Sequence, residues 1–176
     1  IDECSGVALL GDMNDDGDLN ILDVVTLVNL AMSSGYMEVG DMNSDGSVNV
    51  LDVVTLMNQI LANSEGGLVR GKVATEASVK YGNGIINYES DGVIAGVQLF
   101  VSGDFEITDS FLPSGWDMDS NESTIILYSQ DGSHLEDSRL FSYDGDMSIE
   151  SSIFADWYGS SISAVEMLLP KDYSLD

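Results

Sequence analysis

Residues 11–29 read GDMNDDGDLNILDVVTLVN, and residues 40–58 read GDMNSDGSVNVLDVVTLMN. The stretches are offset by 29 positions, and fourteen of their nineteen residues are identical. Self-similarity of this degree marks a duplicated structural unit. Each copy opens on a polar, glycine-containing loop and runs into an apolar stretch that suits a helix, over 22–32 and 51–62. The connection SSGYMEV is short, and Asn63-Ser64-Glu65-Gly66-Gly67 stops the second helix and reads as a linker.

The polar part of each copy carries the chemistry. Calcium is a hard cation that takes six to eight oxygens at about 2.3–2.6 Å, and one twelve-residue loop supplies them. Side chains at loop positions 1, 3 and 5, a carbonyl at 7 and side chains at 9 and 12 form the shell, with glycine at the turn in position 6. In the first copy these are Asp12, Asn14, Asp16, the Asp18 carbonyl, Asn20 and Asp23, with Gly17 at the turn. In the second they are Asp41, Asn43, Asp45, the Ser47 carbonyl, Asn49 and Asp52, with Gly46 at the turn. The pattern D-x-[DN]-x-[DN]-G-x5-E is met except at its last position, where both copies have Asp. Asp is one methylene shorter than Glu, so closure of the shell brings the helix nearer the ion. Leu19 and Val48 at position 8 suit packing or strand-like pairing between the loops. Two calcium ions are expected.

The segments GDMNDDGDLNILDVVTLVNL and GDMNSDGSVNVLDVVTLMNQIL resemble the duplicated module of dockerins, over about residues 7–64. The resemblance implies folding that depends on two calcium ions. It also implies docking of a helix face onto a cohesin, a β-sandwich partner, with either helix available through the internal twofold symmetry. Cellulosomal dockerins often carry Ser-Thr-like recognition pairs at loop positions 10 and 11. Here Ile21-Leu22 and Val50-Leu51 stand there, so recognition is expected to be apolar. Helix 22–32 is polar only at Asp23, Thr26 and Asn29, and a helix so apolar in a small module is buried against something larger. A partner protein and the chain's own second domain are the two candidates.

From Leu68 the pattern changes to short segments rich in β-branched and aromatic residues. They are Gly71–Tyr81, Ile85–Tyr88, Val93–Val101, Thr124–Ser129, Arg139–Tyr143 and Ser161–Leu168. Turn signals at Asn83-Gly84, Asp91-Gly92, Asp131-Gly132 and Asp144-Gly145 separate them. The expected fold class is α+β and multidomain: a small all-α calcium module over 1–67 and an antiparallel β-sandwich over 68–176. Phe100, Trp116, Phe141, Phe154 and Trp157 are expected in its core or rim. DGVIAGVQLFVSG, NESTIILYSQDGSHL and FSYDGD are similar to strands of cohesins. Asp117-x-Asp119-x-Asn121 begins like a calcium loop, but Glu122 takes the glycine position, so no third loop is read. Asn121-Glu122-Ser123 is an N-glycosylation sequon.

Composition narrows the function. The chain has 176 residues, a formal charge of −26 and a pI near 4.1, which disfavours nucleic acid and anionic membrane surfaces as partners. With 44% apolar residues and mean hydropathy +0.08 it nevertheless has material for a core. One cysteine, Cys4, and one histidine, His134, exclude an internal disulfide and leave no cluster for zinc or thiol chemistry. No apolar run reaches a membrane span of about 20 residues. Nothing raises one pair of carboxylates above the acidic background, so catalysis is not expected. IDECSGVALLGD resembles the last of the Asp-Glu-Cys repeats that precede dockerin-like segments in some marine bacterial surface proteins. LPKDYSLD resembles the lead-in to a type IX secretion tail, which implies a secreted, processed surface protein. The expected role is an extracellular calcium-binding assembly protein, its module docking onto a neighbouring β-sandwich, its own copy or a cohesin-like partner, in head-to-tail filaments. The alternative is a calcium-rigidified attachment or glycan-binding module that does not polymerise.

Overall fold

The structure is a computed structural model that describes residues 7–63 and 71–171. The Asp-Glu-Cys end with Cys4, the linker with the 67/68 boundary, and the last residues of the secretion-like tail lie outside the described residues.

Helices α1 (Ile21–Met32) and α2 (Val50–Ala62) start within one residue of the expected positions. A single 3-10 turn, Glu38–Gly40, lies between them. Leu27, Val28 and Ala31 of α1 share a core with Val53, Leu56 and Met57 of α2, closed by Met13 and Met42 from the loops. Val48 is buried in this core and Leu19 packs on it, as their position suggests. The backbone bond between the copies lies elsewhere, from Gly11 N to Val39 O at 2.7 Å.

Nine strands follow: β1 (Glu76–Gly82), β2 (Ile85–Ser90), β3 (Gly96–Ser102), β4 (Phe105–Ser110), β5 (Trp116–Ser120), β6 (Thr124–Ser129), β7 (Arg139–Gly145), β8 (Ser148–Ala155) and β9 (Ser161–Leu168). They form one curled sheet in the order β4-β7-β2-β1-β9-β8-β3-β6-β5. All pairings between strands are antiparallel except β1 with β9, which run parallel from Glu76↔Ser163 to Tyr81↔Leu168. Strand β9 joins the halves, pairing with β8 through Ser161 and Ile162 before it runs along β1. Val79, Ile86, Leu140 and Phe141 from one half meet Val97, Leu99, Ile125, Leu127 and Phe154 from the other in a closed core. This is the sandwich.

Strand β6 and the adjoining parts of β3 and β8 are covered on both faces. In β6 every residue is buried: Ile125 and Leu127 point into the sandwich, while Ile126 and Tyr128 join the core of the helices. The same split places Val97 and Leu99 of β3 inside and Phe154 and Ala155 of β8 on opposite sides. A continuous apolar run such as Ile125-Ile126-Leu127 is what two-sided burial requires. The helices therefore form a third layer on this chain's own sandwich, and α2 is the element seated there.

The strands not evident in the sequence have identifiable reasons. β4 and β5 are the two edges of the sheet, with one partner each, and carry Glu106, Asp109, Asp117 and Asp119. Acids on an edge oppose pairing with another chain and erase the apolar signal. β8 is interior, but a register shift opposite Phe100 and Val101 breaks its alternation. Of the four turn signals, only Asn83-Gly84 closes a hairpin, with both residues at positive φ (56° and 77°). Asp91-Gly92 and Asp131-Gly132 lie where the chain passes between sheet halves, and Asp144-Gly145 ends β7, paired with β4. Asp91 is a clasp: its carboxylate accepts from Glu76 N (3.0 Å), the Thr75 hydroxyl and Thr75 N (2.7 Å), which hold it well below the usual carboxylate range. The sequon's Asn121 donates its amide to Met32 O at the end of α1, 3.0 Å away.

Two outcomes are expected. A Cβ on Gly96 would stand 2.7 and 2.8 Å from methyl groups of Val50 and Val54. Gly96→Val should therefore cost about 1–3 kcal/mol in denaturant unfolding. Burial pushes the Tyr128 hydroxyl up to about 12 from its ordinary 10.0. A raised folded-state value stabilises fully below the unfolded one and is lost as pH climbs from 10.0 through about 12. Thermal melts across that window should show a loss that Tyr128→Phe reduces.

Candidate metal centres and docking face

The two loops have the same internal wiring. Asn20 is the N-cap of α1, its side chain accepting from Leu22 N at 2.8 Å, and Asp23 at the third helical position returns a bond to Asn20 N at 2.9 Å. This capping box ties positions 9 and 12 together. The other Asp23 oxygen accepts from Met13 N at 2.8 Å, so one buried carboxylate joins the loop's start to its end. Asp12 accepts from Asp16 N (3.2 Å) and Gly17 N (2.8 Å), Asn14 from Asp16 N (3.1 Å), and Asp16 from Asp18 N (2.9 Å). The second loop repeats this with Asp41 to Asp45 N (3.0 Å) and Gly46 N (2.9 Å), Asn43 to Asp45 N (3.0 Å), and Asp45 to Ser47 N (2.9 Å). Asn49 caps α2, and Asp52 accepts from Met42 N (2.8 Å) and Asn49 N (2.9 Å). Burial pushes the Asp52 carboxyl up, against the N–H bonds from Asn49, Asn43 and Met42. Gly17 and Gly46 have φ of +89° and +87°, with open space where a Cβ would stand, so glycine is required for its backbone.

The twelve expected residues thus fall into two loop clusters of six. Their carboxylates are turned onto backbone N–H groups, and among the described residues no three acidic, histidine or cysteine side chains gather around one point. The donor set nonetheless fits a hard divalent cation: carboxylate, amide and carbonyl oxygens, with no nitrogen or sulfur ligand. A further signal lies in the distribution of charge. Residues 1–69 contain no Lys, Arg or His, while Asp12, Asp16 and Asp23, or Asp41, Asp45 and Asp52, crowd each loop. The neutralising charge has to come from outside the module.

The docking face begins where the second loop ends. Val50, Leu51 and Val54 lie in one core with Ala95, Ile126, Tyr128, Ala155 and Trp157. Gly96 provides the floor, and Val50 N donates to Gln98 Oε1 of β3 at 2.9 Å, a buried bond between layers. Gly159, in the turn after β8, comes against Leu51 O and Thr55. The equivalent positions of the first copy, 29 residues earlier, are Ile21, Leu22 and Val25. These are 45%, 59% and 47% exposed, against 0%, 8% and 1% for Val50, Leu51 and Val54. Two like faces exist and one is covered. The apolar pairs at loop positions 10 and 11 pointed to this face, whereas Gln98, inside an apolar strand, carried no such signal.

Residues 10–61 match the Dockerin type I domain. No curated protein matches the chain. Among solved structures, a type I cohesin–dockerin complex from Clostridium thermocellum is similar at 16% identity and a TM-score of 0.35, over 59% of this chain and 93% of that one. The second type II cohesin module of an Acetivibrio cellulolyticus scaffoldin is similar at 12% identity and a TM-score of 0.32, over 56% of this chain and 94% of that one. No helix among the described residues is long and apolar enough to cross a membrane. The segment that matches the Dockerin type I domain, residues 10–61, is seated on a curled nine-stranded sheet of the same chain.

Proposed function

We propose that residues 1–67 are a calcium-organised docking module, carried by a β-sandwich over 68–176, in an extracellular assembly protein that is not an enzyme. In the first loop Asp12, Asn14, Asp16, Asn20 and Asp23 hold one ion with the Asp18 carbonyl. In the second Asp41, Asn43, Asp45, Asn49 and Asp52 hold another with the Ser47 carbonyl. Calcium supplies the positive charge that each loop lacks. These residues orient one another through the N–H bonds described, and the capping boxes pass that order to the first turn of each helix. A ligand bound only by the folded state stabilises it by RT ln(1 + [L]/Kd), about 4 kcal/mol for millimolar calcium over a micromolar site.

The observation that carries the docking function is the pair of like faces. The α2 face lies on the chain's own sandwich, and Ile21, Leu22 and Val25 hold the same face open for a β-sandwich on another chain. A neighbouring copy offers such a seat once its own α2 leaves it. Linking by displacement is head-to-tail, and a rotation that does not close gives a filament. The second reading, a self-contained attachment module, draws on the same covered seat: with α2 in place the sandwich has no vacancy for a neighbour.

Titration calorimetry should find two calcium ions, and Asp12→Ala or Asp41→Ala should each lose one; no heat of uptake ends the calcium reading. Sedimentation velocity separates the two functions. Concentrated protein stripped by chelator and returned to calcium should form larger species that Leu22→Glu prevents. A single monomeric boundary at every concentration would sink the filament in favour of the attachment module.

A further inference from the structure

The two loops match within the module and differ toward the sandwich. Every first-loop hydrogen bond given above returns to the loop or its helix. The second loop is built into the contact between layers. Val48 and Val50 are buried in the shared core, and Val50 N, the first helical N–H beyond Asn49, is held by Gln98, itself 1% exposed. A cavity of about 310 Å³ lies between Gly46, Ser47 and Asn49 of this loop and Gln98, Phe100 and Ile153 of the sandwich. Tyr36, where the first copy has Val7, adds a hydroxyl bond to Asp41 at 3.3 Å.

The geometry points to a latch: a cation in the second loop, and not one in the first, fixes the module on its own sandwich. The inference rests on the calcium reading and assigns the two sites unequal roles. Asp52 connects the second loop to the seat, because its carboxylate spans Met42 N and Asn49 N, and Val50, the residue after Asn49, reaches Gln98. With the cation gone, Asp41, Asp45 and Asp52 are like charges without a counterion. Their repulsion acts on the first turn of α2, which holds Val50, Leu51 and Val54. In the first loop the same repulsion reaches Ile21, Leu22 and Val25, which are about half exposed and lie outside the shared core. Coupling between sites is reciprocal, so a seat that depends on the second ion must also tighten it. Two loops of nearly the same sequence should then bind calcium with different affinities.

Trp157 reports the seat. It is 2% exposed in the shared core, and its indole N–H has no hydrogen-bond partner, so water reaching it shifts its emission to the red. In a Trp116→Phe background it is the remaining tryptophan. Three measurements on the full chain test the latch: calcium calorimetry, Trp157 emission and dye binding to exposed apolar surface. The expected result is a red shift and dye binding for Asp41→Ala, several-fold larger than for Asp12→Ala. Gln98→Ala leaves all twelve loop positions intact, so it covers the case in which Asp41→Ala fails to fold. It should weaken one of the two ions by about tenfold and leave the other unchanged. Equal responses of the two Asp variants, or unchanged calcium affinities in Gln98→Ala, overturn the latch while two-ion uptake keeps the calcium reading. Absence of any calcium uptake overturns both.

Discussion

The seating of α2 on the outer face of β3, β6 and β8 is the contact on which the rest of the structure depends. Helices this short cannot bury both the surface between them and an outer stripe without a platform. The sandwich supplies one by placing Ala95, Gly96 and Ala155 where bulkier side chains would hold the helix away. Close approach lets Val50, Leu51 and Val54 bury fully, at roughly 1.5–3 kcal/mol for each side chain. The Val50–Gln98 bond satisfies a helix N-terminus that would otherwise be sealed from water without a partner. In return, Ile126 and Tyr128 gain a cover they could not lack in water. Neither layer is complete alone.

Charge could not have done this work. Among the described residues the ion pairs are Lys80–Glu89 and Arg139–Asp137, both toward solvent, and exposed pairs contribute about 0–1 kcal/mol. A surface at −26 repels its own kind, and two divalent ions, adding four charges, would bring it only to −22. Most of the acidity is therefore a property of the exterior, including the acids along β4 and β5. Cohesion is left to apolar contact, where shape rather than charge decides the partner, and screening by salt sets how closely two such surfaces approach.

The legibility of the sequence followed from how local each signal was. The loops were readable as loops because one segment of twelve holds both the Asp and Asn side chains that bond its backbone and the turn glycine. Both helices follow, since Asn20 and Asn49 are at once loop residues and caps. Thr124–Ser129 and Ser161–Leu168 were readable as strands because their apolar runs are strong. Edge strands β4 and β5 were hidden because an edge needs polarity, and the glycine turn signals marked bends without saying which strands they join. The covered face was the least legible feature. Val50 and Ile21 occupy equivalent positions in near-identical segments, and only the third dimension places one against Gly96 and leaves the other in water. The sequon at Asn121 shows the same limit, since its amide is already engaged with α1.

Strand β9 has a mechanical consequence. It enters the sheet last and lies parallel to β1, the first strand, over six registered pairs. Tension between the two ends of the sandwich pulls β1 and β9 in opposite directions along their length. Their hydrogen bonds are then loaded together in shear instead of being opened one at a time, as they would be in an antiparallel pair drawn apart from one end. The sandwich is therefore built to resist stretching between its two ends, and its first failure under load should be slippage of this one pair.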